Sequence, residues 1–195
     1  FYDSPTTSYD DLNREAEGVP PGSEGLLFLP CMMGAMAPEW NNNARGVFYG
    51  LTLAHGRGHL ARAILEGAAY ALRSIVESMR KAGCETKEIR AVGGGARSRL
   101  FRQIRADVTG IPVVTVSTVE TTALGAALLA AVGAGLGESL SEVAGRTVRV
   151  VDVVEPIPAN RAIYDWGYQV FLRVYDSLRE CFDVCAAEQP SPEET

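Results

Sequence analysis

Residues 88–107 read EIRAVGGGARSRLFRQIRAD, and the period of the apolar residues changes in the middle of that stretch. Ile89, Ala91 and Val92 are spaced for a short strand, whereas Leu100, Phe101, Ile104 and, just beyond, Val108 recur at helical intervals. Between them lie Gly93, Gly94, Gly95, Ala96, Arg97 and Ser98. The sequence therefore predicts a strand, a glycine turn and a helix start. Three consecutive glycines remove every Cβ where the chain turns, so the backbone can take positive φ and a flat ligand can lie directly against it. Ser98 is placed to cap the helix, whose first free amides and positive dipole end face the same opening. Two readings follow: a nucleotide or anion seat, or a tight strand-to-helix turn that binds nothing, since Gly-rich turns are common in α/β folds. The run matches neither GxGxxG nor GxxxxGK(S/T), so the two best-known phosphate loops are absent.

Downstream, 111–116 (IPVVTV) reads as a further strand introduced by Gly110, and 120–132 as an alanine-rich helix. Its small side chains and Gly125 predict close packing in the interior. Strand-helix-strand-helix order implies parallel pairing with right-handed crossovers. Residues 147–153 are extended and β-branched and end before Pro156 and Pro158. A closing helix over about 160–187 carries Ile163, Phe171, Val174, Leu178 and Phe182 on one broad face. The Pro- and Glu-rich tail, 188–195, is expected to be disordered.

Upstream, 1–24 is a polar, turn-rich lead-in in which 9–17 could form a short helix at most. Residues 25–29 (GLLFL) read as a buried strand stopped by Pro30, and 46–51 (GVFYGL) as a second strand. The loop between them, CMMGAMAPEWNNNARG, is long enough to be functional, although Met32, Met33, Met36 and Trp40 could simply cover a core edge. From Arg57 the period is helical through Leu60, Ile64, Ala68, Leu72, Ile75 and Met79, with a stop expected at Gly83. His55 and His59 stand four apart, but no carboxylate, Cys or third His completes a metal ligand set, so capping or packing roles are favoured. Glu66 lies in an apolar part of the same helix; a buried, paired carboxylate is one reading and a solvated turn the safer one.

A chain of 195 residues, 47% hydrophobic, can bury one sizeable core. Its net charge of −6 and the lack of a basic stripe argue against a nucleic-acid surface, and no stretch of 18 apolar residues occurs. Small molecules are the expected partners. Cys31, Cys84, Cys181 and Cys185 are scattered without C-x-x-C spacing, which fits a reduced, cytoplasmic compartment. The start at Phe1 instead of Met suggests a piece of something longer.

The order of residues becomes specific from Gly46. Gly46, Phe48, Gly50 and Leu51, then seven residues, then His59, Leu60, Ala63, Ile64, Leu65 and Glu66 resemble the second signature of the FGGY carbohydrate kinases. The preceding GLLFLP, the APEW and ARGVF of the loop, and the later AVGGGARS resemble the C-terminal half of that family, its xylulokinase branch in particular, over about residues 9–175. The resemblance implies an α/β, actin-like ATPase (ribonuclease H-like) domain over 25–187, a mixed sheet flanked by helices. It also implies ATP and Mg²⁺ as cofactors, a ketopentose or related polyol as the sugar substrate, and an N-terminal kinase domain as partner. Carried over, Gly93, Gly94, Gly95 and Ala96 are similar to the family's adenosine motif, and Ser98 and Arg99 to a position near the base. The family's phosphate loops and aspartate base find no match, so no catalytic residue is assigned here and the chain is expected to be inactive alone. Asp107 and Asp152 sit in no matching motif and are expected to be structural. Two departures stand out: the family's GER-x-P loop is Gly34-Ala35-Met36-Ala37-Pro38, without its charged side chains, and its EGAALGAA run is Glu120-Thr121-Thr122-Ala123-Leu124-Gly125-Ala126-Ala127. Two other classes remain open: a stand-alone nucleotide-binding or regulatory module, and a homodimerisation domain using the terminal helix and the Met-rich loop.

Overall fold

The computed structural model describes residues 9–118 and 120–187; the tail predicted at 188–195 lies outside them. A 25-residue helix, α2 (Arg57–Lys81), runs through the middle of the chain. Helix α1 (Tyr9–Glu17) and strands β1 (Leu27–Leu29) and β2 (Val47–Tyr49) precede it. After it come β3 (Ile89–Ala91), α3 (Arg99–Thr109), β4 (Val113–Val116), α4 (Thr121–Gly133), α5 (Leu140–Thr147), β5 (Val150–Val154), α6 (Arg161–Ser177) and α7 (Arg179–Ala187). No described helix is long and apolar enough to cross a membrane.

Strands β1 and β2 form an antiparallel hairpin in which Leu27 faces Tyr49 and Leu29 faces Val47. The second sheet has the order β3-β4-β5. β3 and β4 are parallel, with Ile89 opposite Val113, as the α3 crossover requires. β5 runs antiparallel to β4, with Val113 opposite Val154, which makes the sheet mixed, as the family resemblance implied. Two helices, α4 and α5, lie between these strands and return the chain to the end of β4 that it left, where Val116 is opposite Val150. The second of them was not predicted: Leu140–Thr147 is short, and its start depends on Ser139 accepting a hydrogen bond from the Glu142 amide at 3.2 Å.

Helix α2 crosses β1 closely enough that a Cβ on Gly67 would lie 2.2 Å from the Phe28 carbonyl oxygen. It ends where expected: Gly83 takes φ +84, and the amides of Gly83 and Cys84 return to the carbonyls of Arg80 and Met79. The main core joins β1, α2, α3, α6 and α7 through Leu29, Tyr70, Ile104, Val108, Tyr164, Phe171 and Phe182. A smaller core of Ala91, Ala96, Ala106, Val113 and Val154 lies between the three-stranded sheet and α3.

Three further expectations are corrected. Helix α4 is not internal among the described residues, where only its Leu128 is buried. Alanines on every side mean that close packing is tolerated, and they mark no face that must be covered. The closing helix is two helices, interrupted at Leu178, whose amide turns back to the carbonyls of Val174 and Tyr175. The Met-rich loop does not cover a core edge, since Met32, Met33, Met36 and Trp40 all stand exposed.

Glu66 is the largest reversal. It is 2% exposed, not solvated. Its Oε1 accepts from the Gly22 amide (2.9 Å), Arg62 Nε (2.8 Å) and the Tyr164 hydroxyl (3.0 Å), and its Oε2 accepts from Ser23 Oγ (2.8 Å). Arg62 then donates to the carbonyls of Ala16 and Val19 and to the Tyr164 oxygen. Burial first, and the Glu66 charge beside it, push the Tyr164 hydroxyl up, so it stays a donor at neutral pH. This buried knot fastens α1 and the turn after it to α2 and α6. It also holds Ser23 and Glu24 at φ +48 and +52, a conformation costing non-glycine residues about 1–3 kcal/mol each. Helical spacing correctly located Glu66 on α2, but its partners arrive from positions 43 and 98 residues away.

Candidate functional site

Strand β3 delivers the chain to Gly93, which takes φ +70 and ψ −163, a left-handed conformation that only glycine adopts cheaply. A 3-10 turn over Gly94–Ala96 follows, closed by the Ala96 and Arg97 amides on the carbonyls of Gly93 and Gly94, both at 3.1 Å. Ser98 then caps α3, its Oγ accepting from the Phe101 amide at 3.1 Å. The strand, turn, cap and helix predicted for this stretch are therefore all present. The amides of Arg99 and Leu100 have no acceptor within the helix, as in any first turn.

The six candidate residues divide by orientation. Gly94 and Arg99 are exposed, and Gly93, Gly95 and Ser98 are half-buried. Ala96 points inward, 8% exposed, against Ala91 and Ala106, and anchors the turn without reaching the opening. A Cβ on Gly94 would meet no protein atom within 4 Å, so its backbone can be approached directly. A Cβ on Gly95 would instead lie 3.4 Å from the Phe101 ring and from Arg105 Nη2. Arg105 lies flat over Phe101, 3.8 Å from the ring centroid, and burial lowers its pKa.

A long-range contact at Ser98 is invisible in the sequence. Asn13 of α1 accepts a hydrogen bond from Ser98 Oγ at 3.0 Å, across 85 positions of chain. A cleft of about 260 Å³ opens there, lined by Asp10, Asn13 and Arg14 on one side and Arg97, Ser98 and Arg99 on the other. α1 is held in place by the Arg57–Glu15 ion pair and by the Arg62 bonds to its C-terminal end. Sequence reasoning treated this helix as a lead-in because its nine residues are mostly polar and nothing local marks the surface it meets.

The remaining candidate groups are engaged elsewhere. Asp107 is 3% exposed; its carboxylate accepts from the Ile157 amide and Asn160 Nδ2, both at 2.7 Å, tying α3 to the segment before α6. Asp152 pairs with Arg102, which holds its carboxyl below the usual range. Each carboxylate is thus engaged by groups of the domain itself. His55 and His59 act at the start of α2: Nδ1 of His55 accepts from the Thr52 amide and Nδ1 of His59 from the Gly56 amide. The open Gly94 face, the free amides of α3 and the flanking Arg97 and Arg99 fit a nucleotide chemically. Among the described residues no three His, Cys, Asp or Glu side chains gather into a metal cage.

The description "FGGY family of carbohydrate kinases, C-terminal domain" matches residues 3–134 of the chain. The chain belongs to the FGGY family. This FGGY chain is 32% identical to the xylulose kinase of Bacillus subtilis over 177 residues, which cover 91% of it and 36% of that protein. It is 39% identical to a glycerol kinase of Saccharolobus islandicus over 163 residues, 79% of the chain and 32% of that protein. The crystal structure of the Rhodospirillum rubrum xylulose kinase superposes with a TM-score of 0.80 at 35% identity, covering 93% of the chain and 36% of that structure. The fold is thus the actin-like α/β fold of these kinases, and the FGGY chain spans about a third of the length of the relatives it matches.

Proposed function

We propose that the chain is the nucleotide-side, C-terminal part of a sugar kinase that transfers the γ-phosphate of ATP to a hydroxyl of a ketopentose such as xylulose, or of a related polyol. The observation that carries this reading is the bare Gly94 backbone in the turn that leads into α3, in a chain of the FGGY family. Relatives named for both xylulose and glycerol support the substrate class.

In this reading Gly93, Gly94 and Gly95 lie against adenine and ribose, and Ala96 fixes the turn by packing inward. Ser98 is locked by its bonds to the Phe101 amide and Asn13, so the first turn of α3 presents its free amides without rearrangement. Arg99, with Arg97, supplies positive charge at the rim. Mg²⁺, when bound, would neutralise phosphate charge. The phosphate loops, the aspartate base and most of the sugar contacts belong to an N-terminal kinase domain. Closure of that domain on this one would exclude water from the transfer. The chain alone binds nucleotide and transfers nothing.

Calorimetric titration with ADP and Mg²⁺ tests this. Gly94→Val is a cleaner probe than Gly95→Val, because its side chain enters space that no protein atom occupies, whereas valine at 95 meets Phe101 and Arg105. The expected result is saturable ADP binding that Gly94→Val weakens at least tenfold while the melting temperature holds. Unchanged affinity in that variant, or no binding by the folded chain, would refute the placement of the adenosine seat.

A further inference from the structure

A separate cleft of about 540 Å³ lies between α2 and α6, lined by Arg73, Asp165, Trp166, Gln169, Val170 and Arg173. The α6 residues come from successive turns of one face, and Arg73 reaches the cleft from α2. Arg73 is only 6% exposed. Its guanidinium lies over Tyr168, 4.4 Å from the ring centroid, and its Nη2 is 2.7 Å from Asp165 Oδ1. The other donors are stranded. Nε comes no nearer to a carboxylate than 3.8 Å, at Glu77 Oε1, and neither Nε nor Nη1 has a hydrogen-bond partner among the described residues; nor does Asp165 Oδ1, which meets Arg73 as an ion pair without a hydrogen bond.

Buried donors are nearly always paired, and an orphaned guanidinium nitrogen costs more than a neutral one. The carboxylates nearby do not make up the deficit. Asp165 also accepts from Arg161 at 2.8 Å, and Glu77 is engaged by Arg80 at 3.0 Å. Arg173 is exposed at the same cleft and forms no ion pair among the described residues. Of the charged groups that line the cleft, Arg73 and Arg173 face the single carboxylate of Asp165, which leaves positive charge in excess at a cavity of ligand size.

We propose that this cleft binds a phosphate-class oxyanion, either inorganic phosphate or a phosphate monoester, held between Arg73 and Arg173. The stacked, buried Arg73 is pre-organised; Arg173 closes over the anion from the rim; Gln169 offers an amide donor and Trp166 a flat wall. A carboxylate fits less well, because Asp165 already occupies that role on Arg73. A tetrahedral dianion meets both guanidiniums at once and outweighs the Asp165 charge. The site is independent of the nucleotide reading.

The test uses the chain with Trp40→Phe, which leaves Trp166 as the sole indole. Inorganic phosphate and glycerol phosphate are titrated at constant ionic strength, following Trp166 fluorescence and heat. Saturable binding of either anion is expected. Tighter binding of the ester would identify a monoester as the occupant, and equal or tighter binding of inorganic phosphate would identify the free ion. Arg173→Ala should weaken binding about tenfold. Arg73→Lys should remove it with the near-ultraviolet circular dichroism preserved, and Gly94→Val should leave it unchanged. If Arg73→Lys fails to fold, the surface variant Arg173→Ala decides. No saturation, an Arg173→Ala curve equal to that of the parent chain, loss of binding in Gly94→Val, or saturation by acetate at equal concentration would overturn the proposal.

Discussion

Replacing Glu66 by Gln tests whether the buried knot holds α1 against the body of the domain. The amide is the same size, and its oxygen at the Oε1 position can still accept from Gly22, Arg62 and Tyr164, while its nitrogen can donate to Ser23 Oγ. Shape and bond count therefore survive, and what disappears is the negative charge opposite Arg62, whose side chain is 7% exposed. Removing one partner of a buried ion pair strands the other and costs about 3–5 kcal/mol. Arg62 keeps its bonds to the Ala16 and Val19 carbonyls, which places the expected loss at the lower end, about 3 kcal/mol. For a chain of this size each kcal/mol shifts the melting temperature by about 2–4 °C, so a fall of about 6–12 °C is expected. Urea denaturation of Glu66→Gln, Arg62→Met and the double variant supplies the decisive number. The double variant should lose at least ~1 kcal/mol less than the sum of the singles, because it removes the stranded charge as well as its partner. Additive losses, or a loss under ~1 kcal/mol for Glu66→Gln alone, would mean that the carboxylate charge does not hold the knot.

Other outcomes follow from the same coordinates. Gly93→Ala should cost about 1–2 kcal/mol in urea denaturation, because an alanine must adopt φ +70 there, whereas Gly94→Ala should change stability by less than ~0.5 kcal/mol. Ser98→Ala removes both the cap on the Phe101 amide and the bond to Asn13, and should cost about 1–2 kcal/mol, with faster amide exchange in α1 as well as in α3. Burial pushes the Cys31 thiol up, whereas Cys84, Cys181 and Cys185 are exposed. At pH 8 a raised pKa leaves less thiolate, so a thiol reagent should label Cys31 markedly more slowly than the other three unless denaturant is added. Equal rates for all four would contradict the burial.

The local structure of the glycine stretch was legible because each signal acts over a few residues. Period two, then three glycines, then Ser98 ahead of Leu100, Phe101 and Ile104 specify a strand, a turn, a cap and a helix without help from the rest of the chain. The α2 helix and its stop at Gly83 were legible for the same reason, and the ordered match from Gly46 to Glu66 pointed to the family. The signals that failed were those whose meaning depends on distant partners. The alanines of α4 mark no face, so composition could not say whether the helix was covered. The short helix α5 was missed because its start rests on the Ser139 cap and it carries no buried face for a period to record.

The sequence by itself determined the secondary elements around the glycine turn and the FGGY resemblance, since each rests on backbone preference or residue order within a short window. Only the tertiary structure decided that Glu66 is a buried carboxyl group bound to Ser23 and Tyr164, that Asn13 of α1 meets Ser98, and that Arg73 lies buried with unpaired donors. The physical reason is that burial and partnership are properties of residues brought together from far apart. A charged side chain on a helix looks the same in one dimension whether it faces water or the interior.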